Sequence, residues 1–156
     1  MAPPTLAFVV LVGRPTLAID TISELLLHSE IARTNPIFAF HFPGSLSKVE
    51  IERLERVGPN VFVRQTSLLF PRYAENEMFF NRKSNYARRF GRSRARYLDM
   101  CFWTTNFFWE NPLEGFDYIL RFDDDSDLLA SPDTYIRDAI AEEGWVVASA
   151  GLKTQV

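Results

Sequence analysis

The sequence is short of cysteine. Cys101 is the single one in 156 residues, which excludes an internal disulfide, removes any mark of an oxidising compartment, and leaves that residue to be read as a small buried hydrophobe. Long apolar runs are missing too. No segment approaches the roughly 18 apolar residues that a membrane span requires, and the opening MAPPTLAFVVLVG carries neither a basic leader region nor a cleavage pattern. No internal repeat recurs and no low-complexity linker divides the chain. Excess charge is small: a net −3 and a pI near 5.4 argue against a wholesale binder of nucleic acid or of anionic membrane. Histidine is scarce as well, and both copies, His28 in the first predicted helix and His41 ending the second predicted strand, read as structural or incidental. What remains is a single soluble domain over 1–156, 47% apolar and 24% charged, with enough apolar residues for a real core.

What is present is an alternation of apolar runs and helical patterns, the rhythm of an α/β fold. LAFVVLV, Leu6 to Val12, is continuous and β-branched, as a strand buried on both faces should be, and Gly13-Arg14-Pro15 stops it. Ala18, Ile22, Leu25, Leu26 and Ser29 then share one side of a helix predicted to end before Asn35-Pro36. IFAFHF makes a second strand. Ser47, with Glu50 three residues on, forms a capping box for a helix on which Ile51 and Leu54 share a face and which Gly58-Pro59 closes. NVFVRQ follows as a third strand.

Residues 71–96 break the rhythm and gather Arg82, Lys83, Arg88, Arg89, Arg92, Arg94 and Arg96. Three readings stand side by side. The segment is a solvated loop-helix, or its guanidiniums face a phosphorylated ligand, or it is a nucleic-acid patch interleaved with Tyr86, Phe90 and Tyr97. The acidic balance elsewhere in the chain argues against nucleic acid. From Ala95 the helical period returns, and Tyr97, Met100, Cys101, Thr104, Phe107 and Phe108 define an aromatic face expected to be buried. Asn111-Pro112 ends that helix, and a strand is expected over Phe116 to Phe122.

Directly after that strand stands Asp123-Asp124-Asp125, with Asp127 close behind. In α/β sheets, ligands bind beyond the carboxyl ends of the strands, so the acids fall where chemistry is usually found. Asp123 and Asp125 would point the same way on an extended segment. Two carboxylates at one site raise each other's pKa unless a cation neutralises them. A hard divalent ion, Mg²⁺ or Mn²⁺, does so with one or two protein carboxylates and the phosphates of a substrate. An EF-hand loop is excluded, because Leu128 and Thr134 stand where it requires glycine and glutamate. An Asp-x-Asp phosphohydrolase would place its nucleophile after the first strand. The remaining rival is structural: acids that cap the next helix or turn, as Asp127 or Ser131-Pro132-Asp133 could.

The stretch YLDMCFWTTNFFWENPLEGFDYILRFDDDSDL, Tyr97 to Leu128, supplies context. Its Tyr97, Met100, Cys101, Phe102 and Trp103, then Phe107 and Phe108, Pro112 and Leu113, Phe116 to Tyr118, and finally Arg121 and Asp123 to Asp125 follow one another in a specific order and spacing. That series resembles the fungal Kre2/Mnt1-like α-1,2-mannosyltransferase family. The resemblance implies a GT-A fold, a Rossmann-like sheet flanked by helices. It also implies Mn²⁺-assisted, retaining transfer of mannose from GDP-mannose to a glycan or glycoprotein acceptor, in the Golgi or elsewhere in the secretory pathway. Carried over, Asp123 contacts the ribose side of the donor and can share the metal, Asp125 is the metal ligand, Asp124 lies beside the donor, and Arg96 and Tyr97 contact donor or diphosphate. The triplet departs from the Glu-Pro-Asp usual in that family, and the family's membrane anchor is not seen. The chain stops at Val156, soon after GWVVASAG, which resembles a further core strand. On this resemblance it reads as the donor-binding part of a truncated enzyme. The alternative is a degenerate transferase that binds a partner through residues 82–96.

Overall fold

The computed structural model describes residues 4–67, 99–107, 113–128 and 130–141. Strand β1 (Leu6–Leu11) leads into helix α1 (Pro15–His28), the short helix α2 (Glu30–Thr34), strand β2 (Ile37–His41), helix α3 (Lys48–Glu55) and strand β3 (Val61–Gln65). A helix over 99–107, α4, precedes strand β4 (Tyr118–Asp123) and helix α5 (Asp133–Ala141). The arginine-rich segment, Tyr97 and Arg96 lie outside the described residues. Among the described residues, no helix is long and apolar enough to cross a membrane.

The four strands form one parallel sheet in the order β3-β2-β1-β4. Every residue of β1 and β2 is buried, which is why both read as uninterrupted apolar runs. The pleat then divides them. Leu6, Phe8, Val10, Ile37 and Ala39 face a core completed by Ile22 and Leu25 of α1, Leu54 of α3 and Ile136 of α5. Ala7, Val9, Phe38 and Phe40 face the opposite core, where Trp103 and Phe107 of α4 meet Leu113. The Trp103 and Phe107 rings lie 4.6 Å apart, and each touches Phe40, at 6.0 and 5.5 Å. Such aromatic pairs contribute about 1 kcal/mol each beyond the area they bury.

Two expectations are corrected. The single helix predicted to end before Asn35-Pro36 is broken at Ser29, whose backbone is extended and whose hydroxyl accepts the Ala32 N–H to start α2. On α4 Phe107 is buried as the spacing predicted, but its buried companion is Trp103, while Met100 is exposed and Cys101 only half-buried, so the apolar face is rotated from the predicted one. The capping box of α3 forms as read: the Ser47 hydroxyl accepts the Glu50 N–H, and Glu50 returns to the Ser47 N–H at 2.7 Å.

After β1 the chain winds outward through β2 to β3, then returns to place β4 on the other side of β1. The order therefore reverses between β1 and β4, and their carboxyl ends stand at that reversal, the place where ligands bind in open α/β sheets. Leu11 stands beside Asp123 in the register, so the turn after β1 and the acids after β4 are neighbours.

Candidate active site

β4 ends at Asp123 and the chain turns at once, the Ser126 N–H donating to the Asp123 carbonyl at 3.2 Å. The extended geometry expected to carry Asp123 and Asp125 in one direction thus stops at Asp123. The three aspartates are held in three ways.

Asp124 is buried and both of its oxygens are engaged. Oδ2 accepts the backbone N–H groups of Gly13 and Arg14 at 2.8 and 2.6 Å, and Oδ1 accepts from Arg14 Nη2 at 2.7 Å. The carboxylate sits at the amino end of α1, where exposed N–H groups and the helix dipole favour negative charge. The approach is close: a Cβ at Gly13 would stand 3.3 Å from Asp124 Oδ2 and push the carboxylate back by a few tenths of an ångström. Thr21, nearly two turns into α1, donates its hydroxyl to the backbone carbonyls of Asp124 and Ser126 at 3.1 and 3.2 Å, pinning the turn from below.

Asp125 projects toward solvent, its side chain 52% exposed, and its Oδ2 lies 2.8 Å from the same Arg14 Nη2. Arg14 therefore bridges two carboxylates. Its hydrogen bond to Asp124, then that to Asp125, raises its already high pKa further, so it is cationic at any pH at which the protein folds. Asp123, its side chain 66% exposed, is paired with Arg121 at 2.6 Å. The Arg121 guanidinium in turn lies over the Trp103 ring, 5.8 Å from its centroid. Three carboxylates, Asp123 to Asp125, thus meet two guanidiniums, Arg14 and Arg121.

Arg14 and Thr21 were not singled out from the sequence, where Gly13-Arg14-Pro15 read only as a stop. The available signal was its place, a turn leading from the first strand straight into a helix, with a glycine where the backbone would be approached closely. The two histidines lie elsewhere: His28 is exposed at the end of α1, and His41 is buried with Nδ1 3.0 Å from the Phe42 carbonyl. Asp133 holds the α1–α2 break: it accepts the Ser29 hydroxyl and the Glu30 N–H, the latter at 2.9 Å.

The donor set suits a hard divalent cation in part. All its atoms are carboxylate oxygens, and Asp123 and Asp125 are exposed enough to turn one toward an ion, while Asp124 has none to give. Among the described residues no group of three or more His, Cys, Asp or Glu could hold a metal by itself. The fit is to an ion whose coordination is completed by the phosphates of a ligand, the usual habit of Mg²⁺.

No family model matches the sequence, and comparison with curated proteins gives no match. Comparison with solved structures does: core-mannan synthase A from Aspergillus fumigatus, in its Mn/GDP form, superposes with a TM-score of 0.55 over 88% of this chain at 16% identity. The chain spans 40% of the length of that protein. The parallel sheet flanked by helices is thus a GT-A glycosyltransferase fold over part of that enzyme's length, the fold class that the Tyr97 to Leu128 resemblance implied.

Proposed function

We propose that this chain is the donor-binding part of a glycosyltransferase that takes a nucleoside-diphosphate sugar with the help of a divalent metal. The observation that carries the reading is the acidic turn Asp123 to Asp125 at the carboxyl ends of β1 and β4, in a fold shared with core-mannan synthase A in its Mn/GDP form. GDP-mannose is the donor favoured, and retaining α-1,2-mannosyl transfer to a glycan or glycoprotein the reaction, by the sequence resemblance and by what that relative is named for. A place in the secretory pathway goes with the same reading.

The three acids take different parts. Asp125 is the ligand for Mn²⁺ or Mg²⁺, and Asp123, on the strand end, faces the ribose side of the donor and can share the ion. Asp124 is a positioning residue: its hydrogen bonds to Gly13 and Arg14 fix the turn on which the other two stand. A divalent ion held there would supply positive charge against the negative charge that develops on a departing diphosphate. Arg121, held between Asp123 and Trp103, fixes the Asp123 carboxylate at the end of β4. Arg96 and Tyr97 remain proposed donor contacts.

Calorimetric titration with GDP-mannose, GDP and UDP-glucose, each with and without Mn²⁺, tests this. Metal-dependent binding of the guanine nucleotides is expected. Binding indifferent to metal and lost when the arginines of residues 82–96 are replaced would favour the degenerate binding module instead.

A further inference from the structure

Serines and threonines on helices usually turn their hydroxyls back onto their own helix. Ser23 does so to the Ile19 carbonyl at 2.7 Å, Thr34 to that of Glu30 at 3.2 Å, and Thr105 to that of Cys101 at 2.8 Å. Thr21 does not. It stands among the buried residues of α1, with Ala18, Ile22 and Leu25, and its hydroxyl leaves the helix for the carbonyls of Asp124 and Ser126, more than a hundred residues on. A buried hydroxyl is costly unless it is hydrogen-bonded, and valine would fill nearly the same volume without that cost. What the hydroxyl adds is its hold on those two carbonyls.

The two acceptors belong to one joint. The Ser126 N–H closes a β-turn onto the Asp123 carbonyl, so Asp124 and Asp125 are its central residues. Turn types differ chiefly in which way the peptide between the central residues faces. That peptide carries the Asp124 carbonyl, which Thr21 holds. The next one is held by its N–H on the Asp123 carbonyl, and Thr21 also takes the carbonyl where the chain leaves the turn. The bonds from Gly13 and Arg14 to the Asp124 side chain fix where the turn begins, and leave the facing of the peptide after it to Thr21.

We propose that Thr21 is a positioning residue for Asp125: its hydroxyl keeps the central peptide of the turn from rotating and so sets the direction in which the Asp125 carboxylate is presented to a divalent ion. The proposal rests on the metal-site reading above, in which Asp125 is the ligand, and concerns the backbone beneath it. Rotation of that peptide moves the N–Cα bond of Asp125 and shifts its side chain, and a ligand constellation tolerates only small errors of this kind. The side-chain partners of Asp125, Arg14 among them, act on the carboxylate, whereas Thr21 acts on the peptide that carries it.

Two substitutions separate this role from a merely structural one. Thr21→Val keeps the volume and loses the hydroxyl; Thr21→Ser keeps the hydroxyl and loses a methyl group from the core. Mn²⁺ binding in the presence of GDP is followed by the loss of the free-ion electron paramagnetic resonance signal, in the wild-type chain and both variants, at a temperature where circular dichroism shows all three folded. Thr21→Val should bind Mn²⁺ about fivefold more weakly, the scale of one hydrogen bond. Thr21→Ser should bind it as the wild type does, although it is the variant that opens a cavity and loses stability. Thr21→Cys, whose thiol is a weak donor, replaces Thr21→Val if that variant does not fold, and should also bind Mn²⁺ more weakly than wild type. Wild-type affinity in Thr21→Val, or in Thr21→Cys standing in for it, would overturn the proposal and leave the metal site in place, and so would equal losses in Thr21→Val and Thr21→Ser. No Mn²⁺ binding by the wild type, with or without GDP, would overturn the metal-site reading and the positioning role with it.

Discussion

At both ends of the β1–β4 pair, an aspartate from the later segment accepts hydrogen bonds from the backbone of the earlier one. At the amino end, Asp117 takes the Thr5 N–H and hydroxyl at 2.8 and 2.9 Å, while the Thr5 carbonyl accepts from Asp117 and Tyr118. At the carboxyl end, Asp124 takes the N–H groups of Gly13 and Arg14. The amino end needs one carboxylate for this and has one. The carboxyl end needs one and has three in a row, the outer two exposed and matched to arginines. The difference separates acids that the fold requires from acids that it merely tolerates, and the second kind stand at the reversal of strand order, where ligands bind in such sheets.

The comparison breaks hardest at Asp124. Replacing it with alanine strands two backbone N–H groups and removes a buried partner of Arg14, so Asp124→Ala should lower stability by about 2–4 kcal/mol in urea denaturation. A loss below that of a surface substitution would show that the turn does not depend on it. Asp133→Ala removes the same kind of support from the start of α2, and should cost about 1–2 kcal/mol.

At the amino end the expected effect is smaller and depends on pH. The Thr5 backbone N–H, then its hydroxyl, hold the Asp117 carboxyl below its ordinary value of 3.8. A group whose folded pKa is depressed stabilises fully above its unfolded value and loses that contribution as pH falls through the folded one. Asp117→Asn should therefore be less stable than wild type at neutral pH, and the gap between them should close below about pH 4. A gap that persists or widens in acid would contradict the assignment.

How much of this was legible follows from how local each feature is. The continuous burial of β1 and β2 is written in LAFVVL and IFAFH, and the α3 capping box in Ser47 and Glu50, because neighbours along the chain suffice to produce them. The acidic turn was legible as a candidate site for the same reason, being three adjacent letters after a strand. Its internal division was not. Asp124 is told apart from Asp123 and Asp125 only by Gly13 and Arg14, more than a hundred residues earlier, and the break at Ser29 is fixed by Asp133, equally remote. The phase of α4 was missed because half its residues are apolar or aromatic, and the side turned inward is chosen by the Phe38 and Phe40 rings across the sheet.

The smallest effect on stability belongs to Asp125. Its pairing with Arg14 is exposed on both sides and contributes little, so Asp125→Ala should unfold at nearly the wild-type denaturant concentration. That makes it the variant in which function can be read without folding. The most direct measurement is calorimetric titration of GDP-mannose into the wild type and Asp125→Ala, with and without Mn²⁺. The account predicts heat of binding for the wild type only with Mn²⁺ and none for the variant under either condition. Equal binding by the two, or wild-type binding indifferent to Mn²⁺, would contradict it.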